Sequence, residues 1–181
     1  MAVQNGVSLR GYRAGFGIFL ASQGVVFTTL ISARYITASG HIGFYSEALG
    51  AITTALMLIS GISGRTARSA IKGGNLAAMD ARLGAGLWFG ILGVLSILLQ
   101  WVLLAHMNVP VTAPTSEVYY ALTGVWLLYS LIGLFVLFAT RARGRRVGYT
   151  ADNYWDAEAG TLLWEFVVIA WVVMYLVLYI L

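Results

Sequence analysis

The chain is 181 residues long, 60% apolar and only 10% charged, with a formal net charge of +4 and no cysteine. So few charged residues leave too little polar surface to coat a soluble globule, and without cysteine there is no disulfide, thiolate metal site or Cys nucleophile. The basic excess does not mark a nucleic-acid partner, because Arg and Lys stand at the ends of apolar segments, where membrane topology and anionic headgroups account for them.

Five apolar segments follow one another, at about residues 14–36, 43–64, 83–105, 118–140 and 159–181. Each can cross a hydrocarbon core of ~30 Å, which takes a helix of about 20 residues. The sequence therefore predicts an all-α membrane protein, a single integral domain over residues 1–181 folded as a bundle of five transmembrane helices. The first segment follows a basic tail but stays apolar beyond the ~7–15 residues of a signal-peptide core, so it reads as a retained span.

Basic residues fall in alternate gaps. The N-terminal tail with the second and fourth gaps holds ten, namely Arg10, Arg13, Arg65, Arg68, Lys72, Arg82, Arg141, Arg143, Arg145 and Arg146, and the other gaps hold Arg34 alone. Retention of Lys and Arg on the cytoplasmic side puts the N-terminus inside and the C-terminus outside. Two inner gaps, 65–82 and 141–158, are long enough for structure of their own. The outer gap 106–117 contains Pro110 and Pro114 and reads as an irregular loop.

Small residues mark where helices approach closely. Gly86 and Gly90 form a GxxxG pair in the third span, continued by Gly93, and the first two spans carry Gly15, Gly17, Gly24, Gly43, Gly50 and Ala51. In the last span Trp164, Trp171, Tyr175 and Tyr179 recur at helical spacing and share a face. Trp164, Trp171 and Tyr175, with Gly86 and Gly90, are candidates for contact with another subunit or a lipid tail, or else for packing within the chain. Tyr175 and Tyr179 approach the outer interface, where aromatic rings anchor, whereas the indole N–H of Trp171 lies near mid-membrane and needs a partner.

Ionisable groups inside a span are functional candidates by default, and here they are few. Glu165 lies about two turns inside the inner end of the fifth span, and Gln23 near the middle of the first. Glu47 and Gln100 stand toward the outer ends of theirs. Glu165 is a candidate for structural pairing with an inner arginine, for proton handling, or for a carboxylate kept neutral by burial. His41 and His106 both fall at outer helix ends, so no facing imidazoles are placed at depth to hold a haem or copper centre. No GxSxG, HExxH or P-loop pattern occurs, and the chain does not read as a catalyst by itself.

From Thr123-Gly124 through Leu131-Ile132-Gly133-Leu134, across a basic internal loop, to Trp164-Glu165-Phe166, Trp171 and Tyr179, the chain resembles subunit III of haem–copper terminal oxidases. The stretch Ala70-Ile71-Lys72-Gly73-Gly74-Asn75, the helix ending near Gln100, and residues 19–27 around Ser22 continue the resemblance, in a five-helix form without the two N-terminal helices of longer members. The chain departs from the family pattern where an acid is replaced by Gln23, where histidines are replaced by Trp126, Tyr129 and Glu165, and where acids are replaced by Val168 and Leu103. An amide cannot titrate, so any proton-related role shifts from Gln23 toward Glu165 and the inner loops.

The resemblance implies a non-catalytic accessory subunit of a respiratory oxidase in a prokaryotic plasma membrane. Its implied partners are the catalytic subunit I, the copper-binding subunit II and membrane lipids, with haem and copper held by those subunits and no cofactor in this chain. Implied roles are assembly, lipid binding and support of proton uptake during oxygen reduction. Two alternatives stand beside it: the accessory subunit of a nitric oxide reductase-type complex, and a small-molecule transporter, which would need a polar midplane site beyond Gln23.

Overall fold

A computed structural model describes residues 9–37, 46–107, 110–150 and 153–181. Its elements in chain order are α1 (Leu9–Thr37), α2 (Glu47–Lys72), α3 (Leu76–His106), α4 (Pro114–Arg146) and α5 (Trp155–Tyr175), the last running on into a π-helical turn, Leu176–Ile180. All five helices are long and apolar enough to cross a membrane. His41 and Gly43 lie outside the described residues.

Helix boundaries follow local chemistry rather than the edges of the apolar segments. Ser46 accepts the amide of Leu49 at 3.4 Å to start α2, and Asn75 accepts that of Ala78 at 2.9 Å to start α3. Between them Gly74, at φ +71, makes the tight reversal that an L side chain resists. The gap expected over 65–82 therefore shrinks to Gly73, Gly74 and Asn75, because the Arg-rich end of α2 keeps its helical hydrogen bonds beyond the apolar stretch. The loop expected to reach residue 117 likewise stops at Ala113, since Pro114 takes the first helical turn of α4, where its fixed φ suits the helix and no N–H is missed.

The core sits among α2, α3, α4 and α5. Gly86 brings α3 against the backbone of α2, where a Cβ would lie 3.4 Å from the Ser60 carbonyl, and Ser60 Oγ donates to the Gly86 carbonyl at 2.5 Å. One turn on, Gly90 leaves room for the Trp164 ring, and Gly93 for the Met57 sulfur. Trp126, Trp164 and Trp171 are fully buried, while Ile18, Trp88, Phe135 and Ile169 cover the outside. An apolar exterior around a core of indoles and small residues is the inversion that a lipid solvent permits.

α1 is peripheral. It packs chiefly on α4 and α5, and of its side chains only Phe27 and Arg34 are buried. A Cβ added at Gly15, Gly17 or Gly24 would meet nothing within 4 Å, so these glycines face open surface rather than a helix of this chain.

Candidate functional site

The charged end of the bundle is closed by ion pairs that tie the helices together. Arg13 of α1 donates to Glu158 Oε2 of α5 through Nη2 at 2.8 Å and Nε at 3.1 Å, and also to the Tyr154 hydroxyl at 3.1 Å. Arg68 of α2 donates to Glu165 Oε1 of α5 at 2.7 Å. Asp80 of α3 receives two arginines of α4: Arg141 at 2.9 and 3.0 Å, and Arg145 at 2.6 and 2.8 Å. Arg143 pairs with Asp156, linking α4 to α5. Two-pronged pairing fixes direction as well as distance, so Asp80 sets the rotation of α4 against α3.

Glu165 is thus placed in this belt, partly exposed, with one carboxylate oxygen engaged by Arg68. A shallow cleft of about 160 Å³ opens beside it, walled by Leu58, Ile62, Val168 and Ile169 and flanked by Arg65. The carboxylate is therefore both paired and reachable from outside the bundle.

Two indoles of α5, those of Trp164 and Trp171, point inward. Trp164 Nε1 donates to Ser60 Oγ at 2.9 Å, and Ser60 passes its own proton to the Gly86 carbonyl, so one chain of hydrogen bonds joins α5, α2 and α3. The Trp164 ring sits in a slot between two glycines, where a Cβ at Gly90 would lie 2.6 Å and one at Gly133 2.7 Å from it. Trp171 Nε1 donates to Thr54 Oγ1 at 3.0 Å, and its ring meets that of Trp126 at 4.7 Å. Trp126 in turn donates to the Val167 carbonyl at 3.1 Å. Trp164, Trp171, Gly86 and Gly90 are therefore engaged inside the bundle, and of the interface candidates Tyr175 alone is only half-buried.

Tyr179 departs from its expected place as an interfacial anchor. It is 1% exposed, and its hydroxyl donates to Gln100 Oε1 at 2.6 Å. The π-helical turn widens the end of α5 and carries Tyr179 over Gly50, toward α2 and α3. Tyr119 reaches the same Gln100 oxygen at 3.3 Å, and Gln100 Nε2 donates to Thr53 Oγ1, which meets Ser96 Oγ at 2.7 Å. Four helical elements share this buried polar knot, which outweighs the headgroup region for a hydroxyl that can reach it.

Gln23 docks α1. Its Oε1 accepts from the Tyr129 hydroxyl of α4 at 2.7 Å, and its Nε2 donates to Ser22 Oγ at 3.1 Å. The rings of Phe27, Tyr129 and Phe166 cluster beside that bond in tilted and edge-on contacts. Farther along α1, Arg34 is 3% exposed and lies over the Tyr35 ring at 5.0 Å.

Among the described residues no three His, Cys, Asp or Glu side chains converge as a metal site. Sequence reasoning did not single out Asp80, Glu158 or Tyr119. An acid near a helix end that must meet the basic end of a neighbour was the available signal for the first two. Tyr119 carried none, since its partner Gln100 lies on another helix.

No family model matches the chain. It is 24% identical over 179 residues to a protein named cytochrome c oxidase subunit 3 from Synechocystis sp., spanning 92% of this chain and 74% of that relative. A protein of the same name from Mammuthus primigenius is 25% identical over 183 residues, covering 93% of this chain and 69% of its own length. One from Anopheles gambiae is 29% identical over 132 residues, covering 71% and 48%. Three similarities under one name, two of them along nearly the whole chain, are consistent with a divergent subunit III.

Proposed function

We propose that the chain is a non-catalytic accessory subunit III of a respiratory haem–copper terminal oxidase, packing on the catalytic subunit and supporting assembly, lipid binding and proton uptake. The observation that carries this reading is the similarity to subunit 3 proteins along 92% of the chain. The bundle is compatible with it: the buried indoles Trp126, Trp164 and Trp171 all donate to partners within the chain, so the interior serves packing. Haem and copper belong, in this proposal, to the catalytic subunit I and the copper-binding subunit II.

The charge asymmetry supports an N-terminus on the cytoplasmic side of a prokaryotic plasma membrane, with the belt of Arg13, Arg68, Asp80 and Glu165 at the inner face and the Gln100 knot toward the outer one. In that setting Glu165 is the proton-related carboxylate, open to the inner side, and Gln23 is a fixed dock that cannot titrate. Tyr175 contributes to a subunit or lipid contact directly. Trp164, Trp171, Gly86 and Gly90 act from behind by setting the shape of the surface.

The test is purification in mild detergent through a tag on this chain, with mass spectrometry of the co-purifying subunits and a reduced-minus-oxidised spectrum. Stoichiometric large and copper-binding subunits with haem absorption are expected. A colourless, solitary protein, under conditions that preserve other membrane complexes, overturns the proposal.

A further inference from the structure

Six rings run through the bundle in unbroken sequence. Trp126 of α4 meets Trp171 of α5 with ring centroids 4.7 Å apart, and Trp171 meets Tyr179 at 6.5 Å. Tyr179 meets Tyr119 at 6.5 Å, Tyr119 meets Tyr120 at 5.9 Å, and Tyr120 meets Trp101 of α3 at 5.2 Å. The first four are at most 1% exposed, whereas Tyr120 and Trp101 are half-buried. Trp126 stands twelve residues inside α4, about 18 Å from the start of the helix at 1.5 Å per residue, and Trp101 five residues short of the end of α3. The file thus leads from the sealed interior toward the end of the bundle where α3 stops and α4 begins.

Separations of about 4.5–7 Å are what aromatic packing gives, and packing alone has no need of polar rings. The chain has eight phenylalanines, which fill space without a hydroxyl or an indole N–H to satisfy, yet none of those described stands in this file. All six members are Trp or Tyr, the aromatic side chains that give up an electron most readily. Their polar hydrogens are provided for. Trp126 donates to the Val167 carbonyl, Trp171 to Thr54 Oγ1, Trp101 to Thr123 Oγ1 at 2.9 Å and Tyr179 to Gln100 Oε1 at 2.6 Å. Loss of an electron makes a phenol a stronger acid than a protonated amide, so the proton of an oxidised Tyr179 crosses this short bond to Gln100 and returns when the ring is reduced.

We infer that the file conducts one-electron oxidising equivalents out of the core, in addition to packing it. An oxygen-centred radical in the bilayer takes one electron from Trp126 and one proton from solvent, and ends as an O–H group. Trp126 is refilled from Trp171, and each ring in turn from the next, until the hole stands on Trp101. A water-soluble one-electron reductant fills it there. No bond of the protein is made or broken in the sum, and the buried indoles escape covalent oxidation. The inference does not depend on an oxidase partner.

The chain has no cysteine, so a Leu128→Cys variant, at an exposed position two residues from Trp126, carries a ruthenium polypyridyl label at a single site. In the full chain reconstituted in phosphatidylcholine bilayers, a laser flash with a cobalt(III) quencher leaves ruthenium(III) near Trp126, and transient absorption follows the hole through tryptophanyl and tyrosyl radicals. A tyrosyl signal is expected, and external ascorbate is expected to shorten its life severalfold. Adding Tyr179→Phe keeps a ring in place without an oxidisable phenol. It is expected to cut the tyrosyl signal severalfold and hold the hole as a tryptophanyl radical, with near-UV dichroism unchanged. Tyr120→Phe, at a half-buried position, is expected to preserve the tyrosyl signal and slow its decay with ascorbate severalfold. Tyr12→Phe, outside the file, is expected to change neither. Absence of a tyrosyl signal in the labelled chain, or an ascorbate-sensitive decay unaltered by Tyr179→Phe and Tyr120→Phe, overturns the inference and leaves the rings as packing. If the chain purifies alone, the oxidase proposal fails while this measurement stands.

Discussion

Trp164 and Ser60, 104 positions apart, meet through an indole N–H···Oγ bond of 2.9 Å at a point where no side chain of either residue touches the outside. Ser60 is then committed as donor to the Gly86 carbonyl, so the hydroxyl serves two helices at once. Replacing Ser60 by Ala leaves the buried indole N–H unpaired, and an orphaned donor costs more than an average bond is worth, about 1–3 kcal/mol. Ser60→Ala is expected to lower the thermal midpoint of the detergent-solubilised protein by several degrees, read by the loss of near-UV dichroism. An unchanged midpoint would show that the bond contributes nothing net.

The glycine slot gives a paired prediction. At Gly90 a methyl would lie 2.6 Å from Trp164 Cζ2 and 2.9 Å from Leu134 Cδ2, and the ring cannot retreat because Gly133 closes on its other side at 2.7 Å. Overpacking of this kind costs about 1–3 kcal/mol. Gly24, by contrast, has nothing within 4 Å of the same construction. Gly90→Ala should therefore destabilise the solubilised chain and Gly24→Ala should not. A Gly24→Ala variant that is stable alone but no longer co-purifies with other subunits would mark the outer face of α1 as a contact surface.

The spans were legible because lipid imposes a length and a hydropathy on every crossing helix. The partners were not. Nothing local to Asp80 says that Arg141 and Arg145, 61 and 65 positions on, would close over it. Nor does the sequence of the last turn announce a π-helix, whose wider turn carries Tyr179 from the interface toward Gln100. The ends of α2 and α4 outran their apolar stretches for a related reason, since charged residues keep a helix going wherever water or an ion pair is at hand. Gly86, Gly90, Trp164 and Trp171 were singled out from their spacing, and spacing alone left open whether they face a neighbour or the chain's own core.

Trp171 is sealed between Trp126 and Thr54, and its loss opens a large cavity in the core. Truncation of a buried indole costs about 3–5 kcal/mol. Trp171→Ala is expected to reduce the amount of chain recovered with the proposed oxidase far more than it alters the haem spectrum of whatever complex remains. A shifted spectrum with full recovery would place this residue next to the redox centre and overturn its assignment as packing.

Glu165 separates the structural from the proton-related reading. Its bond to Arg68 lies in a partly exposed belt, so loss of the charge through Glu165→Gln should change stability little. On the proton-uptake proposal the same variant slows oxygen reduction by the complex. Arg68→Gln removes the pair but keeps the carboxylate, and is expected to preserve more of the rate. Identical rates of oxygen reduction for the unsubstituted and Glu165→Gln complexes would leave the residue as a helix tie only.

Gln100 makes the opposite kind of prediction, in which one residue is worth more than any of its partners. Its side-chain oxygen accepts from Tyr179 at 2.6 Å and Tyr119 at 3.3 Å, and its amide donates to Thr53. Tyr179→Phe removes one donor and leaves Gln100 a second, so the cost is near that of a single net hydrogen bond, about 1 kcal/mol. Gln100→Leu withdraws the acceptor common to both phenols and the amide that donates to Thr53 in one step, leaving the two phenols in contact with each other at 3.2 Å. Its cost should exceed that of Tyr179→Phe by the worth of two further net hydrogen bonds, about 1–3 kcal/mol. In the double variant Gln100→Leu, Tyr179→Phe the cost should fall short of the sum of the two single costs, because the Tyr179–Gln100 bond is lost in each of them. Thermal melts of the three proteins measure the coupling, and strict additivity would show that the knot is a set of independent contacts rather than a shared one.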